Sequence, residues 1–357
     1  MLKHFMSKQH GQSMVIIVLA FTALIAMLGL AIDGGNAFLQ RRKMQNVADA
    51  AAFAGGRALA MQLAAGSTDQ SSIYNAVNQY VLLNGGSTSN NGLLVNYLKQ
   101  DGSSNGGFSY GSIPPNTTGI KVASSTGFQT LFLGVLNEGV GAASAYAVVQ
   151  TGAPSGAANL FPLAIPTGTL TIPAPPGGCN FIAGSECQIW GINQGRDSAS
   201  RQWTSFFTGC GGGGANYLAS ILNGTASSGL VSIGDSICTS TGSVNSIGNS
   251  LSPWVNKVVT VPVFDCTSAE LNCPNYDSQN TGSNLRYHVI SFAVFRFDGF
   301  HFGGQNNGGT QSCNQSTSTY LCGAFESLSL SGQVDVTKTC SNGSTYNYGL
   351  CSYQLQQ

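Results

Sequence analysis

Met14–Ile32 reads MVIIVLAFTALIAMLGLAI, 19 residues without a charge or a proline. As a helix such a run rises roughly 28 Å, the thickness of a bilayer's hydrocarbon core. It exceeds the roughly 7–15 apolar residues of a signal-peptide core, and the nearest small-x-small site, Gly35-Asn36-Ala37, is a poor cleavage signal. The run is therefore expected to remain as a single transmembrane anchor. Lys3 and Lys8 precede it while Arg41, Arg42 and Lys43 follow, so charge alone leaves its orientation open. All ten cysteines lie beyond it, from Cys179 onward. An even set in a glycine-rich chain reads as disulfides formed outside the cytosol. The expected topology is single-pass in the cytoplasmic (inner) membrane, N-terminus inside, with the bulk of the chain extracytoplasmic.

Only 8% of the 357 residues are charged, far below the roughly 25% of an ordinary soluble domain. Glycine is over-used at 47 residues, yet 18 Phe and 12 Tyr supply apolar surface enough for a core, which argues against disorder. Positive charge gathers at Lys3, Lys8, Arg41, Arg42, Lys43 and Arg57, opposed before residue 65 only by Asp33 and Asp49. That excess is too small to hold a nucleic-acid backbone, so no nucleic-acid partner is expected.

Working outward, Asp33-Gly34-Gly35 is a place where a helix would bend or fray. Asn36–Ala65 is rich in helix formers, and Met44, Val47, Ala48, Ala51, Ala54 and Ala58 recur at helical steps to give one small-residue face. Packing of that face on the protein's own domain is the plainer reading, and an intermolecular seam the other. Ser67-Thr68-Asp69 offers N-cap chemistry to a second helix carrying Ile73, Ala76, Val77, Tyr80 and Val81, stopped at Asn84-Gly85-Gly86. Strands are expected at Leu93–Leu98, Ile120–Ala123 and Val140–Gln150, with a short buried helix at Thr126–Leu136. Gly152–Asn159 reads as a linker. Beyond it come short strands at Leu160–Ile165, Leu170–Ile172, Val258–Phe264, Tyr287–Phe297 and Gly323–Val336. The fold class is α+β: an anchor and its extension over 1–65, a pilin-like α+β unit over 66–151, and a β-rich, disulfide-stapled domain, a sandwich, over 160–357.

The cysteines fall into sequence-near pairs: Cys179/Cys187, Cys210/Cys238, Cys266/Cys273, Cys313/Cys322 and Cys340/Cys351. Each pair brackets a Gly/Asn/Ser-rich segment with no core residues of its own, although sequence alone does not fix connectivity. No two cysteines stand within four positions and no histidine accompanies them, so neither zinc nor another metal is expected, and no cofactor.

The stretch GQSMVIIVLAFTALIAMLGLAIDGGNAFLQRRKMQNVADAAAFAGGRAL, Gly11–Leu59, resembles the TadG-like proteins of Flp (tight-adherence) pilus assembly. In that family a glycine-led apolar helix ends in Ala-x-Asp-x-Gly, followed by an aromatic, a basic pair, Leu- or Met-Gln and Ala-Asp-Ala-Ala-Ala. Ala31, Asp33, Gly35, Phe38, Arg41, Met44, Gln45 and Ala48–Ala52 fill those places. Looser likeness extends to Phe128–Val149, Phe161–Pro166, Ile233–Asp235, Val261–Asp265 and Tyr287–Phe297. The Asp-x-Ser-x-Ser metal site of the von Willebrand factor A domain in many relatives has no counterpart. Type IV pilins carry a glutamate five residues after the processing glycine, whereas counting from Gln12 places Ile16 there. The resemblance implies a membrane-anchored structural or accessory protein of pilus assembly. Its partners would be the bilayer and other pilus-assembly proteins or pilins, with no small-molecule substrate and no catalytic residues.

Two other readings arise from the residues. Gly234-Asp235-Ser236 and Asp298-Gly299-Phe300-His301 match two blocks of SGNH-type esterases, with Ser236 as nucleophile, His301 as base and Asp298 to orient it. The blocks are only 65 residues apart, the family's Gly-x-Asn-Asp is missing at Gly248-Asn249-Ser250, and no amphipathic helix lies between them. A turn at Ser236 and a strand end at His301 is the plainer reading, as is packing for His288. A secreted or surface adhesin, stacking glycans on Trp190, Trp203 and Trp254, is the alternative function. The loop Asn275–Asn284 could wrap calcium but has a single carboxylate.

Overall fold

The computed structural model describes residues 10–136, 139–166, 186–190, 203–206, 210, 214–240, 247–268, 270–274, 276, 284–302, 306–309, 320–340 and 348–356. Helix α1 (His10–Ala64) runs 55 residues without a break, about 82 Å at 1.5 Å per residue. It is the one helix among the described residues long and apolar enough to cross a membrane, and the side chains of Met14–Leu28 are exposed throughout. The helix does not break at Asp33-Gly34-Gly35, where the sequence predicts a bend or fraying. A β-hairpin lies along α1 on both sides of the two glycines and splints them, as described below.

After Leu59 and Ala60 are buried, α1 ends at Ala64 and the chain turns into α2 (Ser71–Leu83). The expected cap chemistry is shifted by one position. Gln70 occupies the N-cap without a side-chain bond, while Asp69 accepts from the Ser71 amide at 2.9 Å. Ile73, Val77 and Val81 are buried against α1, whereas Tyr80 is largely exposed. Asn84 closes the helix and Gly85 follows with φ +73°, a conformation glycine adopts without steric cost.

The first sheet begins with β1 (Leu93–Leu98), β2 (Ser104–Gly107), β3 (Gly119–Gln129) and β4 (Val140–Pro154). The short buried helix expected at Thr126–Leu136 is instead the end of β3 followed by a 3-10 turn, Leu133–Leu136. Pairing overrides local preference here. Phe128 lies opposite Gly141, and its ring fills the space a Cβ on that glycine would need. The expected linker Gly152–Asn159 is likewise structured: β4 continues to Pro154, and β5 (Gly156–Ala158) follows at once. Gly152 is there for close packing, since a Cβ would meet the Asp335 carbonyl at 2.6 Å.

The second sheet contains β6 (Ile165–Pro166), β7 (Glu186–Trp190), β8 (Thr204–Ser205), β10 (Ser236–Thr239), β11 (Lys257–Thr267), β12 (Arg286–Phe302), β13 (Asn306–Gly309) and β14 (Tyr320–Glu326). Strand β12 is its spine, pairing with β11 and β13 and with β10 and β14. Ile290 is skipped in the register between Val263↔Ser291 and Phe264↔Val289. That bulge shifts the alternation by one. Tyr287, Val289, Phe292 and Val294 therefore share one buried cluster, while Ala293, Phe295 and Phe297 enter the other. Both faces are covered, which explains the nearly unbroken apolar run. Helices α3 (Ala215–Leu222) and α4 (Gly248–Leu251), with Trp203, cover one face. The ribbon of β5 with β9 (Leu230–Ser232) and the residues Leu328, Leu330 and Leu350 cover the other. In place of two facing sheets, this part has one large sheet between mixed layers. Leu170–Ile172 lies outside the described residues.

The segment expected as a single strand at Gly323–Val336 divides into β14, β15 (Leu328–Ser331) and β16 (Val334–Asp335). Here the sheets cut across the division at 151/160. Strand β17 (Leu350–Gln356) pairs antiparallel with β4 from Gly152↔Ser352 to Val148↔Gln356, and β15 pairs parallel with β17. The first sheet is thus ordered β15-β17-β4-β3-β1-β2, with β16 also on β4. Helix α1 crosses β3, β4 and β17, burying Met44, Val47, Ala51, Val122, Val149 and Tyr353 in one core.

Cys210–Cys238, Cys266–Cys273 and Cys340–Cys351 are disulfides, with Cα separations of 5.3, 5.7 and 5.7 Å. Cys322 is also disulfide-bonded. Cys179 and Cys313 lie outside the described residues, as does the side chain of Cys187. Both sulfurs of Cys340–Cys351 are buried in the α1 core, where the bond ties β17 to the segment after β16. Replacing both residues by alanine is expected to cost roughly 3 kcal/mol, the loop entropy of so short a closure. A guanidinium titration reads this as a lower midpoint that reductant no longer changes by the same amount.

Candidate functional site

The site built by α1 lies where its bare apolar run ends. A carboxylate is costly at the edge of a hydrocarbon layer unless its oxygens are bonded. Asp33 is only 3% exposed. Its Oδ1 accepts from the Leu131 amide at 2.8 Å, and its Oδ2 from the Phe132 and Leu133 amides at 3.0 and 2.8 Å. These amides open the 3-10 turn at the tip of the β3–β4 hairpin and have no partner within the turn itself. One side chain therefore satisfies three backbone donors, and the donors satisfy its charge.

Polar and small residues continue this contact in both directions along α1. One turn toward the membrane, the Phe132 ring lies within 2.5 Å of where a Cβ on Gly29 would stand. On the other side Asn36 donates Nδ2 to the Gln129 carbonyl at 3.3 Å. The Ser124 hydroxyl donates to the Met44 sulfur at 3.4 Å, and Gln45 donates to the Tyr146 carbonyl at 3.2 Å. Gly29, Asp33, Asn36, Met44, Val47, Ala48 and Ala51 thus form one stripe facing β3 and β4. The small-residue face is used within the molecule. Further along, a Cβ on Gly55 would meet Val77 at 2.6 Å and one on Gly56 would meet Val149 at 2.2 Å. These glycines let α2 and β4 approach the helix backbone. Gly34 and Gly35, by contrast, have nothing within 4 Å, and Phe38, Leu39, Arg41 and Arg42 are exposed.

Residues 11–58 match the family model described as putative Flp pilus-assembly, TadE/G-like.

No curated protein and no solved structure matches the chain. The TadE/G-like segment spans the apolar run, the Asp33 clamp and the Gly55-Gly56 seam, which gives its pattern a physical reading. Asp33, Met44, Gln45, Ala48, Ala51 and Ala52 hold the hairpin and the sheet, while Gly35, Phe38 and Arg41 face outward. The match suggests a structural or accessory role in pilus assembly, in association with other pilus components. The clamp was not anticipated from the sequence. Its signal was Asp33 itself, a lone acid at the end of an apolar span, but its partners lie nearly a hundred residues away.

The esterase-like residues are not brought together. Ser236 on β10 pairs with His288 on β12. His301 is thirteen residues further along β12, beside Asn307 and Tyr320, or roughly 40 Å along the strand. Asp298 binds Arg296 through both oxygens, at 2.8 and 3.0 Å, and Glu326 binds the same guanidinium at 2.8 Å. The Asp298 carboxylate, more than any other group, raises the Arg296 pKa and holds the side chain charged. His288 Nδ1 lies 2.8 Å from Asp265 Oδ1. Cys266 completes a cluster with them of the size that could hold a metal ion, but its sulfur is bonded to Cys273 and offers no thiolate. Trp203 is fully buried, and Trp254 donates its indole N–H to the Leu222 carbonyl at 2.8 Å while packing on Phe161. Neither is a free stacking surface. The Trp190 side chain and most of the loop Asn275–Asn284 lie outside the described residues.

Two comparisons test the stripe. Asp33→Ala leaves the Leu131–Leu133 amides without their acceptor. Hydrogen exchange is expected to quicken at these three amides, with little change at Ile120 and Val122 in the same strand pair. Gly34→Ala and Gly56→Ala are expected to have opposite signs in thermal unfolding of the detergent-solubilised chain. The first gains about 1 kcal/mol of helix propensity, whereas overpacking at the second costs roughly 1–3 kcal/mol and outweighs that gain.

Proposed function

We propose that this chain is a membrane-anchored structural or accessory protein of Flp (Tad) pilus assembly, with its N-terminus inside and its folded bulk outside the cytoplasm. The observation that carries the reading is the TadE/G-like match falling on a helix that is bare over Met14–Leu28 and packed into a core beyond Asp33. Disulfides at Cys210–Cys238, Cys266–Cys273 and Cys340–Cys351 support an oxidising compartment for the bulk. The parts are the anchor and its extension over 1–65, the α+β unit over 66–151 and the β-rich part over 160–357, whose last strands return to the first sheet.

Mechanistically, the run fixes the protein in the bilayer, and the clamp and glycine seam make the helix continuous with the folded body. Force or position at the membrane is then transmitted to the body without a flexible joint. The exposed, weakly charged surface is the part that meets other pilus components.

Protease treatment of spheroplasts, with immunodetection of the membrane fraction, tests the topology. The expected result is loss of the C-terminal epitope from intact spheroplasts and a mobility change on reduction. Full protection of that epitope until the cells are lysed overturns the orientation. Deletion of the gene is expected to reduce surface Flp pili, and unchanged piliation counts against the assembly role.

A further inference from the structure

Whatever sits on Gly29 and Asp33 sits at membrane height, and the tip of the β3–β4 hairpin sits on both. Gly29 lies three residues inside the end of the apolar run, or about 4–5 Å. The Phe132 ring covers it, and Asp33 holds the Leu131, Phe132 and Leu133 amides. Exposed apolar side chains stand on the tip: Leu131 is 68% exposed, Phe132 39%, and Val140 at the start of the returning strand 69%. Phe128–Leu136 contains no charged residue, and the one charge of the hairpin loop is Glu138, just before the returning strand. Beside the tip, Leu28, Leu30 and Ile32 of α1 are exposed as well, so the two surfaces are continuous. Arg41, Arg42 and Lys43, also exposed, stand roughly 14–17 Å further out along the helix.

We propose that the hairpin tip, through Leu131 and Phe132, enters the leaflet on the side of the folded body and forms a second membrane contact beside the helix. Non-helical backbone is tolerated in hydrocarbon only where its polar groups are bonded within the protein. The Asp33 clamp meets that requirement for the first three amides of the tip, and the 3-10 turn continues it. The occupant is lipid rather than protein because the patch is continuous with the span and lies at the same height. Two contacts fix the tilt and rotation of the helix relative to the body, where a single helix leaves rotation free. This inference rests on the anchor reading but not on which side of the membrane the body occupies.

The test places an environment-sensitive fluorophore on Leu131→Cys in the full chain, reconstituted in phosphatidylcholine/phosphatidylglycerol nanodiscs with or without spin-labelled lipid. Leu24→Cys in the span and Leu230→Cys, exposed on β9, are the references. The expected result is blue-shifted emission at Leu131, quenched by spin-labelled lipid and shielded from aqueous iodide, as at Leu24 and unlike Leu230. Adding Asp33→Ala is expected to release the tip and shift the emission to the red. If Leu131 behaves like Leu230 while Leu24 is quenched by lipid, the tip proposal is overturned and the anchor stands. If Leu24 is also unquenched, the anchor reading fails and the proposal falls with it. Shielding from iodide without quenching by lipid means that a second copy covers the tip, which also overturns it. Val140→Cys repeats the measurement should Leu131→Cys fail to fold.

Discussion

Helix α1 has to satisfy two surroundings along one uninterrupted rod, and the transition between them is made at Asp33. Before it, the side chains of Met14–Leu28 are exposed all round, as a lipid-facing segment requires. After it, the helix becomes the inner layer of a sheet and buries one stripe. The carboxylate at the junction is stable there because three backbone amides of the β3–β4 hairpin converge on it. Those amides in turn need an acceptor, and among the described residues Asp33 is theirs. Each side of this contact removes the cost of the other.

Close approach is the second constraint. The first sheet lies against α1 at Gly56 and α2 lies against it at Gly55, with distances that leave no room for even a methyl group. At Gly29 the same device admits an aromatic ring. The glycines at 34 and 35 have no such neighbours, yet they do not break the rod, because the hairpin grips the helix on both sides of them. Identical residue types thus have opposite roles within one helix, decided by what faces them.

Much of the fold was legible. The apolar run, the helix after Ser67, and strands β1, β11 and the middle of β12 follow from periodicity and turn residues, and the expected sequence-near pairs Cys210–Cys238, Cys266–Cys273 and Cys340–Cys351 are bonded. The misreadings share a cause. Thr126–Leu136 looked like a short buried helix and Gly152–Asn159 looked like a linker because both were read from local residue content without their strand partners. In the molecule they are the places where another strand or ring comes close. Of the candidate sites, the Ser236, Asp298 and His301 set was a coincidence of short motifs. Their positions on paired strands keep Ser236 far from His301. The clamp escaped notice because a carboxylate's backbone partners leave no mark in sequence.

The sequence by itself determined the span, since 19 apolar residues without charge need no tertiary context to prefer lipid, and it determined the TadE/G-like pattern that follows. Tertiary structure alone decided which of those residues face inward and where the last strands go. Strand β17 returns across two hundred residues to pair with β4, and Asp33 reaches about a hundred residues ahead to hold a hairpin tip. Backbone hydrogen bonds of that range depend on register and on the geometry of closure. Neither is encoded in the identity of the residues that make them.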